Sequence, residues 1–200
     1  MTAAIPASQI TLGVLAGGLA TRLGGRDKAW IERDGTAQVL RWQRRFAPEV
    51  AGMIVSANRD LPRYARHGLH AVADRLPGAA PAAGAGPVAG LDALAHACPT
   101  PWMLTLPVDL FGVNDCLLPT LVAGSAADGA WARDEEGGQP LVALWRVEAM
   151  RQALASMPEA SGAVHALQAR LDMACVTFRG VRFGNLNTPE DLLAAGISHE

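Results

Sequence analysis

The chain has 200 residues, the length of one large domain; half are hydrophobic and 18% are charged. That balance excludes a disordered chain, and a chain of this length buries roughly 70% of its unfolded surface, so a core forms without staples. Lys plus Arg number 17 and Asp plus Glu 19, a formal charge of −2, which excludes the global basic field of a nucleic-acid binder but allows a local cationic pocket.

Residues 10–15, Ile-Thr-Leu-Gly-Val-Leu, are a short apolar run ending at Ala16-Gly17-Gly18, the pattern of a buried strand entering a glycine turn. The polar stretch 21–28 reads as a loop. Val39, Leu40, Trp42 and Phe46 recur at helical spacing and predict a helix over 37–46. A Val- and Ile-rich strand follows over 50–57, then a short helix over 61–67 and a short strand over 70–73. Residues 77–87 are alanine, glycine and proline and read as a loop. Residues 88–97 read as a helix stopped by Pro99 and Pro101. Another buried strand over 102–106 ends at Pro107-Val108-Asp109. Strands alternating with helices predict a layered α/β domain with a largely parallel sheet.

Beyond Asp109 the pattern changes. Residues 115–123 are helical, and 130–133 and 141–145 flank Asp134-Glu-Glu-Gly-Gly138 as a hairpin-like pair around a polar turn. Helices are expected over 147–157 and over 162–171, the second capped by Ser161. A last strand covers 173–178. A last helix covers 189–195, with Thr188 ahead of Pro189 as its start signal. The sequence holds no internal repeat.

No apolar stretch approaches the ~20 residues of a membrane helix, and the start lacks the basic segment of a secretory signal, so a soluble cytoplasmic protein is expected. Cys98, Cys116 and Cys175 lie far apart without a CxxC pair, as expected of small buried hydrophobes in a reducing interior. The histidines lack partner ligands for zinc, and the acidic residues 134–136 read as a solvated turn. Trp30, Trp42, Trp102 and Trp145 fall in predicted elements and read as core.

The segment Leu15-Ala-Gly-Gly-Leu-Ala-Thr-Arg-Leu-Gly-Gly-Arg-Asp-Lys28 carries the chemistry. It follows a buried strand at the edge where α/β sheets bind ligands. Gly17 and Gly18 let backbone approach a phosphate or base, and their N–H groups suit an anion. Arg22 offers a bidentate fork and Lys28 a point charge for a polyphosphate. No Gly-Lys-Ser/Thr closes a Walker A loop here. The formal Gly-x-Gly-x-x-Ala match at Gly84-Ala-Gly86-Pro-Val-Ala89 follows a loop and lacks an N–H at Pro87, so it reads as a decoy.

Leu15-Ala-Gly-Gly18, Arg22-Leu-Gly-Gly25 and Asp27-Lys28 resemble the opening of the molybdenum cofactor guanylyltransferases. Further matches come in order: Ser56-Ala-Asn58-Arg59, Asp74, Gly86-Pro-Val-Ala-Gly90, Asp109, Gln139-Pro-Leu141 and Asn185-Leu-Asn-Thr-Pro-Glu-Asp191. The resemblance implies a three-layer α/β nucleotidyltransferase (Rossmann-like) fold in a single domain, 1–200, with a nucleotide-binding half over 1–109 and a pterin-side half over 110–200. It implies GTP and a molybdenum-bearing pterin as substrates and Mg²⁺ as the metal. The expected partners also include molybdoenzyme chaperones or other cofactor-biosynthesis proteins, with the chain itself a monomer. Leu15, Ala16, Gly17, Gly18, Lys28, Asn58, Asp74 and Asp109 match the GTP contacts. Arg22, Lys28 and Asp109 are the expected catalytic groups, Asp109 the metal ligand, and Asn185 and Asn187 the pterin-side pair. Cytosine-using relatives usually carry Ala-Ala-Gly in place of Leu15-Ala-Gly-Gly18, which favours guanine.

The chain departs from the family where Asp109-Leu-Phe111 replaces the usual Asp-x-Pro, and where Leu23 replaces a methionine. Two other readings stay open: a nucleotidyltransferase using CTP or a sugar phosphate, and a non-catalytic paralogue that binds nucleotide or cofactor and hands it on.

Overall fold

The apolar runs become the strands of a central sheet in the computed structural model, which describes residues 4–17, 27–75, 86–157 and 163–186, with Asp191 and Leu193. β1 (Ile10–Leu15) is followed, past the Asp27-Lys28 segment, by a small hairpin of β2 (Glu32–Arg33) and β3 (Thr36–Ala37). Then come α1 (Gln38–Phe46), β4 (Gly52–Ser56), α2 (Leu61–Arg66) and β5 (His70–Val72). The middle of the chain forms α3 (Gly86–Ala97), β6 (Trp102–Pro107), β7 (Leu110–Phe111) and α4 (Leu117–Ala123). The remainder forms β8 (Gly129–Arg133), β9 (Gly138–Arg146), α5 (Val147–Ala155), α6 (Val164–Gln168), β10 (Met173–Thr177) and β11 (Gly184–Asn185).

The strand order is β5-β4-β1-β6-β9, with β5, β4, β1 and β6 parallel and β9 antiparallel to β6. β8 runs beside β9 and pairs in parallel with β10. The turn between β8 and β9 is closed by the Asp134 N–H, which donates to the Gly137 carbonyl at 3.0 Å.

Alternating side chains on the buried strands feed two apolar layers. Leu12, Val14, Leu104 and Leu106 pack with Trp42 and Phe46 of α1 and with Leu117 and Leu121 of α4. Ile54, Met103 and Trp145 pack instead with Leu91 and Leu94 of α3 and Met150 of α5. Each fully buried side chain of this size contributes about 1.5–3 kcal/mol. The result is the expected three-layer α/β fold, helices on both faces of a mostly parallel sheet. Trp30, Trp42 and Trp145 are buried and Trp102 half-buried. The Trp145 indole N–H donates to Thr105 Oγ1 at 2.8 Å, so its polar edge is satisfied inside the core.

The structure corrects several expectations. α3 begins at Gly86, so Gly86 and Pro87 belong to the helix and not to the preceding loop. Pro87 fits there because a first-turn residue needs no N–H partner. The strand at Met173–Thr177 is not the last, because Gly184–Asn185 pairs antiparallel with Leu110–Phe111. Only Cys98 is buried; Cys116, ahead of α4, and Cys175, on β10, are exposed. The acidic turn is not wholly solvated: Asp134 is 5% exposed and hydrogen-bonded. Ser161, most of the 77–87 loop and nearly all of the 189–195 helix lie outside the described residues. Among the described residues, no helix is long and apolar enough to cross a membrane.

Candidate active site

Four parallel strands end on one edge of the sheet, the side on which open α/β sheets hold ligands. The chain runs off β1 into Ala16 and Gly17, off β4 towards Asn58, off β5 towards Asp74 and off β6 into Asp109. Backbone bonds carry the ladder past the strand ends. Ala16 N donates to Ser56 O at 2.8 Å, Ala57 N to Val72 O at 2.9 Å, and Val108 N to Leu15 O at 2.9 Å. Leu15, Ala16, Gly17, Asn58, Asp74 and Asp109 therefore share one rigid rim.

Lys28 reaches this rim from a short 3₁₀ turn. Asp27 caps the turn, its Oδ1 accepting from Ala29 N at 3.0 Å. The other Asp27 oxygen faces the Tyr64 hydroxyl at 3.4 Å. Burial, then the Asp27 charge, pushes the Tyr64 phenol far above its ordinary value, so it stays a neutral donor. Trp30 packs on Tyr64 at 5.0 Å between centroids, with the Arg63 guanidinium 4.2 Å over the indole. These contacts hold the turn that carries Lys28, whose Nζ meets Asp109 Oδ2 at 2.6 Å. The two side chains are 17% and 16% exposed, so the pair is largely out of solvent.

A second group sits beside Gly17. Asn58 Nδ2 donates to Asp74 Oδ2 at 2.8 Å, and Asp74 N donates back to Asn58 Oδ1 at 2.9 Å. Both polar ends of Asn58 thus hold Asp74 in place. Asp74 Oδ1 and Ser56 Oγ are buried and have no hydrogen-bond partner among the described residues. Ser56 is 1% exposed. α3 approaches so closely that a Cβ on Gly90 would stand 2.8 Å from Ser56 Oγ and from Leu15 Cδ2. Burial pushes the carboxyl of Asp92 on α3 above its ordinary value; Arg75 opposes the shift and the Asp74 charge adds to it.

Leu110–Phe111 is a strand, paired with Asn185 and Gly184, and Leu186 N donates to Asp109 O at 2.8 Å. Asn185 therefore lies against the strand that leaves Asp109. The Phe111 ring covers Gly184 so tightly that any Cβ there would collide with it. Beneath β7 is a cavity of about 180 Å³ walled by Phe111, Leu186, Arg33, Arg41 and Arg45. Arg33 and Arg41 share Asp34, and Arg45 pairs with Glu49 and Asp115, so its positive wall is largely self-neutralised.

The structure thus brings Lys28 to Asp109, Asn58 to Asp74, and Asn185 to the backbone beside Asp109. Gly18, Arg22 and Asn187 lie outside the described residues. Sequence reasoning passed over Ser56, although it stood in the Ser56-Ala-Asn58-Arg59 match. A hydroxyl ending a strand whose last three residues are buried is the signal that marks it.

A family profile described as the MobA-like NTP transferase domain matches residues 12–174. The chain belongs to this family. It is 32% identical over 197 residues to a Cupriavidus necator protein named molybdenum cofactor guanylyltransferase, covering 94% of this chain and 96% of that one. A Shewanella baltica protein of the same name is 30% identical over 188 residues, covering 92% and 93%. Among solved structures, a molybdopterin-guanine dinucleotide biosynthesis protein A from Archaeoglobus fulgidus superposes with a TM-score of 0.69 at 19% identity, covering 92% of this chain and 96% of that one. An inositol-1-phosphate CTP transferase from T. maritima superposes with a TM-score of 0.68 at 12% identity, covering 93% and 92%, so the fold alone is common to them.

As a MobA-like family member the chain is a nucleotidyltransferase, and its rim residues set what it can hold. Among the described residues, no three metal-capable side chains converge. Asp109 offers a single carboxylate, already close to a lysine ammonium. Such a donor set fits magnesium in the mode where substrate phosphates and water supply the other ligands.

Proposed function

We propose that this chain transfers GMP from GTP to the molybdenum-bearing pterin, giving the guanine dinucleotide form of the cofactor and pyrophosphate. The observation that carries the reading is the Lys28–Asp109 pair at the carboxyl end of β6, on the rim shared with Leu15, Ala16 and Gly17. The identity to molybdenum cofactor guanylyltransferases over nearly the whole chain supports this donor and acceptor.

In the reaction a terminal phosphate oxygen of the pterin bonds to the α-phosphorus of GTP. The bond from that phosphorus to the oxygen bridging to the β-phosphorus breaks, and pyrophosphate leaves with the electron pair. Both reactants are anionic. A unit-charge pair at ~4 Å and an effective dielectric near 20 is worth about 4 kcal/mol, so cations decide whether the two meet.

Lys28 is held at the rim before substrate arrives. A triphosphate competes with Asp109 for its ammonium, so the same lysine turns to the leaving phosphates without travelling. Asp109 would hold magnesium, which when bound neutralises phosphate charge. Gly17 admits the nucleotide close to backbone, and Asp74 is braced by Asn58 on the same rim. Asn185, on β11, and Asn187 would contact the pterin acceptor, and Gly18 and Arg22 would serve the nucleotide side. No covalent enzyme intermediate is needed; positioning and charge stabilisation suffice.

The test supplies GTP, CTP, ATP and UTP in turn with magnesium and the loaded pterin, and reads pyrophosphate release and product mass. GTP-dependent release with the guanine dinucleotide product supports the reading. Preference for CTP, transfer to a sugar phosphate in place of the pterin, or binding without release replaces it.

A further inference from the structure

We infer that Asp134 is a positioning residue that holds Asn185 in register against the strand that leaves Asp109. The role of Asn185 in this inference rests on the proposed function.

Asp134 immediately follows β8 and is 5% exposed, and both carboxylate oxygens are engaged by donors. Its Oδ1 accepts from Glu136 N and Gly137 N, each at 3.0 Å. Its Oδ2 accepts from Phe183 N at 2.7 Å and from Gln139 Nε2 at 3.3 Å. One oxygen closes the β8–β9 turn, and the other grips a chain segment 49 residues away. That segment runs directly into the site. Phe183 precedes Gly184 and Asn185, which pair with Phe111 and Leu110, and Leu186 N closes on Asp109 O at 2.8 Å. Asp134 and Asp109 thus hold the two ends of one four-residue span, with Asn185 inside it.

β11 has only two residues, too few to hold its register through ladder bonds alone. The Phe183 bond, charge-assisted and buried, is the stronger anchor. All four partners of Asp134 are donors. An asparagine there would point its own NH₂ at some of them, so Asp134→Asn keeps the volume and breaks the grip.

The experiment compares wild type with Asp134→Asn by amide hydrogen exchange and by steady-state kinetics. The inference expects faster exchange at Phe183 and Leu186, with β1 and β6 unchanged. It expects the pterin KM to rise about tenfold, with GTP affinity and kcat at saturating pterin little changed. Unchanged exchange at Leu186 overturns it. Loosened exchange with an unchanged pterin KM also overturns it, because Asp134 would then only brace the fold. Should the variant not fold, the wild type decides: Phe183 must exchange as slowly as the β9 core, and exchange at a loop rate overturns the inference. A wild-type chain that transfers nothing refutes the proposed function instead, and the exchange readings still judge whether Asp134 holds the segment.

Discussion

Lys28 Nζ lies 2.6 Å from Asp109 Oδ2, across 81 residues of chain. Breaking a well-buried pair by removing one partner costs about 3–5 kcal/mol, and this pair, with a sixth of each side chain exposed, lies below that range. Lys28→Ala and Asp109→Ala should each lower the melting temperature. Lys28→Ala should also weaken GTP binding by calorimetry, and Asp109→Ala should cut magnesium-dependent turnover by roughly 100-fold or more. Equal GTP affinity in Lys28→Ala contradicts its phosphate role.

Ser56 should show the opposite trade. An unsatisfied buried hydroxyl costs about 1–3 kcal/mol. Ser56→Ala should therefore melt at or above wild type without ligand, yet gain less melting temperature from saturating GTP. A ligand-induced shift equal to wild type contradicts a ligand bond at this hydroxyl.

Phe111 and Gly184 form a matched pair. Gly184→Ala drives a methyl into the Phe111 ring and should destabilise by about 1–3 kcal/mol, as overpacking does. Phe111→Ala in the same chain should recover part of that loss, and a denaturation cycle on the four proteins reads the coupling. Strict additivity contradicts the account of how this chain tolerates Phe111.

Asp134 predicts an acid limit. Burial alone would raise its carboxyl, but the N–H of Phe183, the Gln139 amide and the N–H groups of Glu136 and Gly137 hold it below the ordinary carboxylate range. A group whose folded value is depressed contributes stability fully present above its unfolded value, near ~3.9, and lost as pH falls through the folded one. Wild type should therefore lose stability below about pH 4 more steeply than Asp134→Asn. Parallel melting curves of the two proteins against pH contradict this.

The parallel sheet was legible because buried strands on both faces read as unbroken apolar runs, as at residues 10–15 and 102–106. The rim was legible because a resemblance tied Lys28, Asn58, Asp74 and Asp109 together across the chain. What stayed hidden depends on partners distant in sequence. Asp134 looks like any turn carboxylate until Phe183 folds onto it. The two-residue strands at 110–111 and 184–185 are too short to show a period. The β2–β3 hairpin did leave a signal, the Asp34-Gly35 pair, both at positive φ. Ser56 reads as strand until its buried hydroxyl is seen to have no partner among the described residues.

The central claim is that this rim receives the triphosphate of GTP through Lys28 and Asp109. A crystal grown with GTP and magnesium tests it most directly. The account predicts phosphates between the Leu15–Gly17 segment and Asp109, with Lys28 turned from the carboxylate to a phosphate oxygen. GTP bound elsewhere, with the Lys28–Asp109 contact intact, would contradict it.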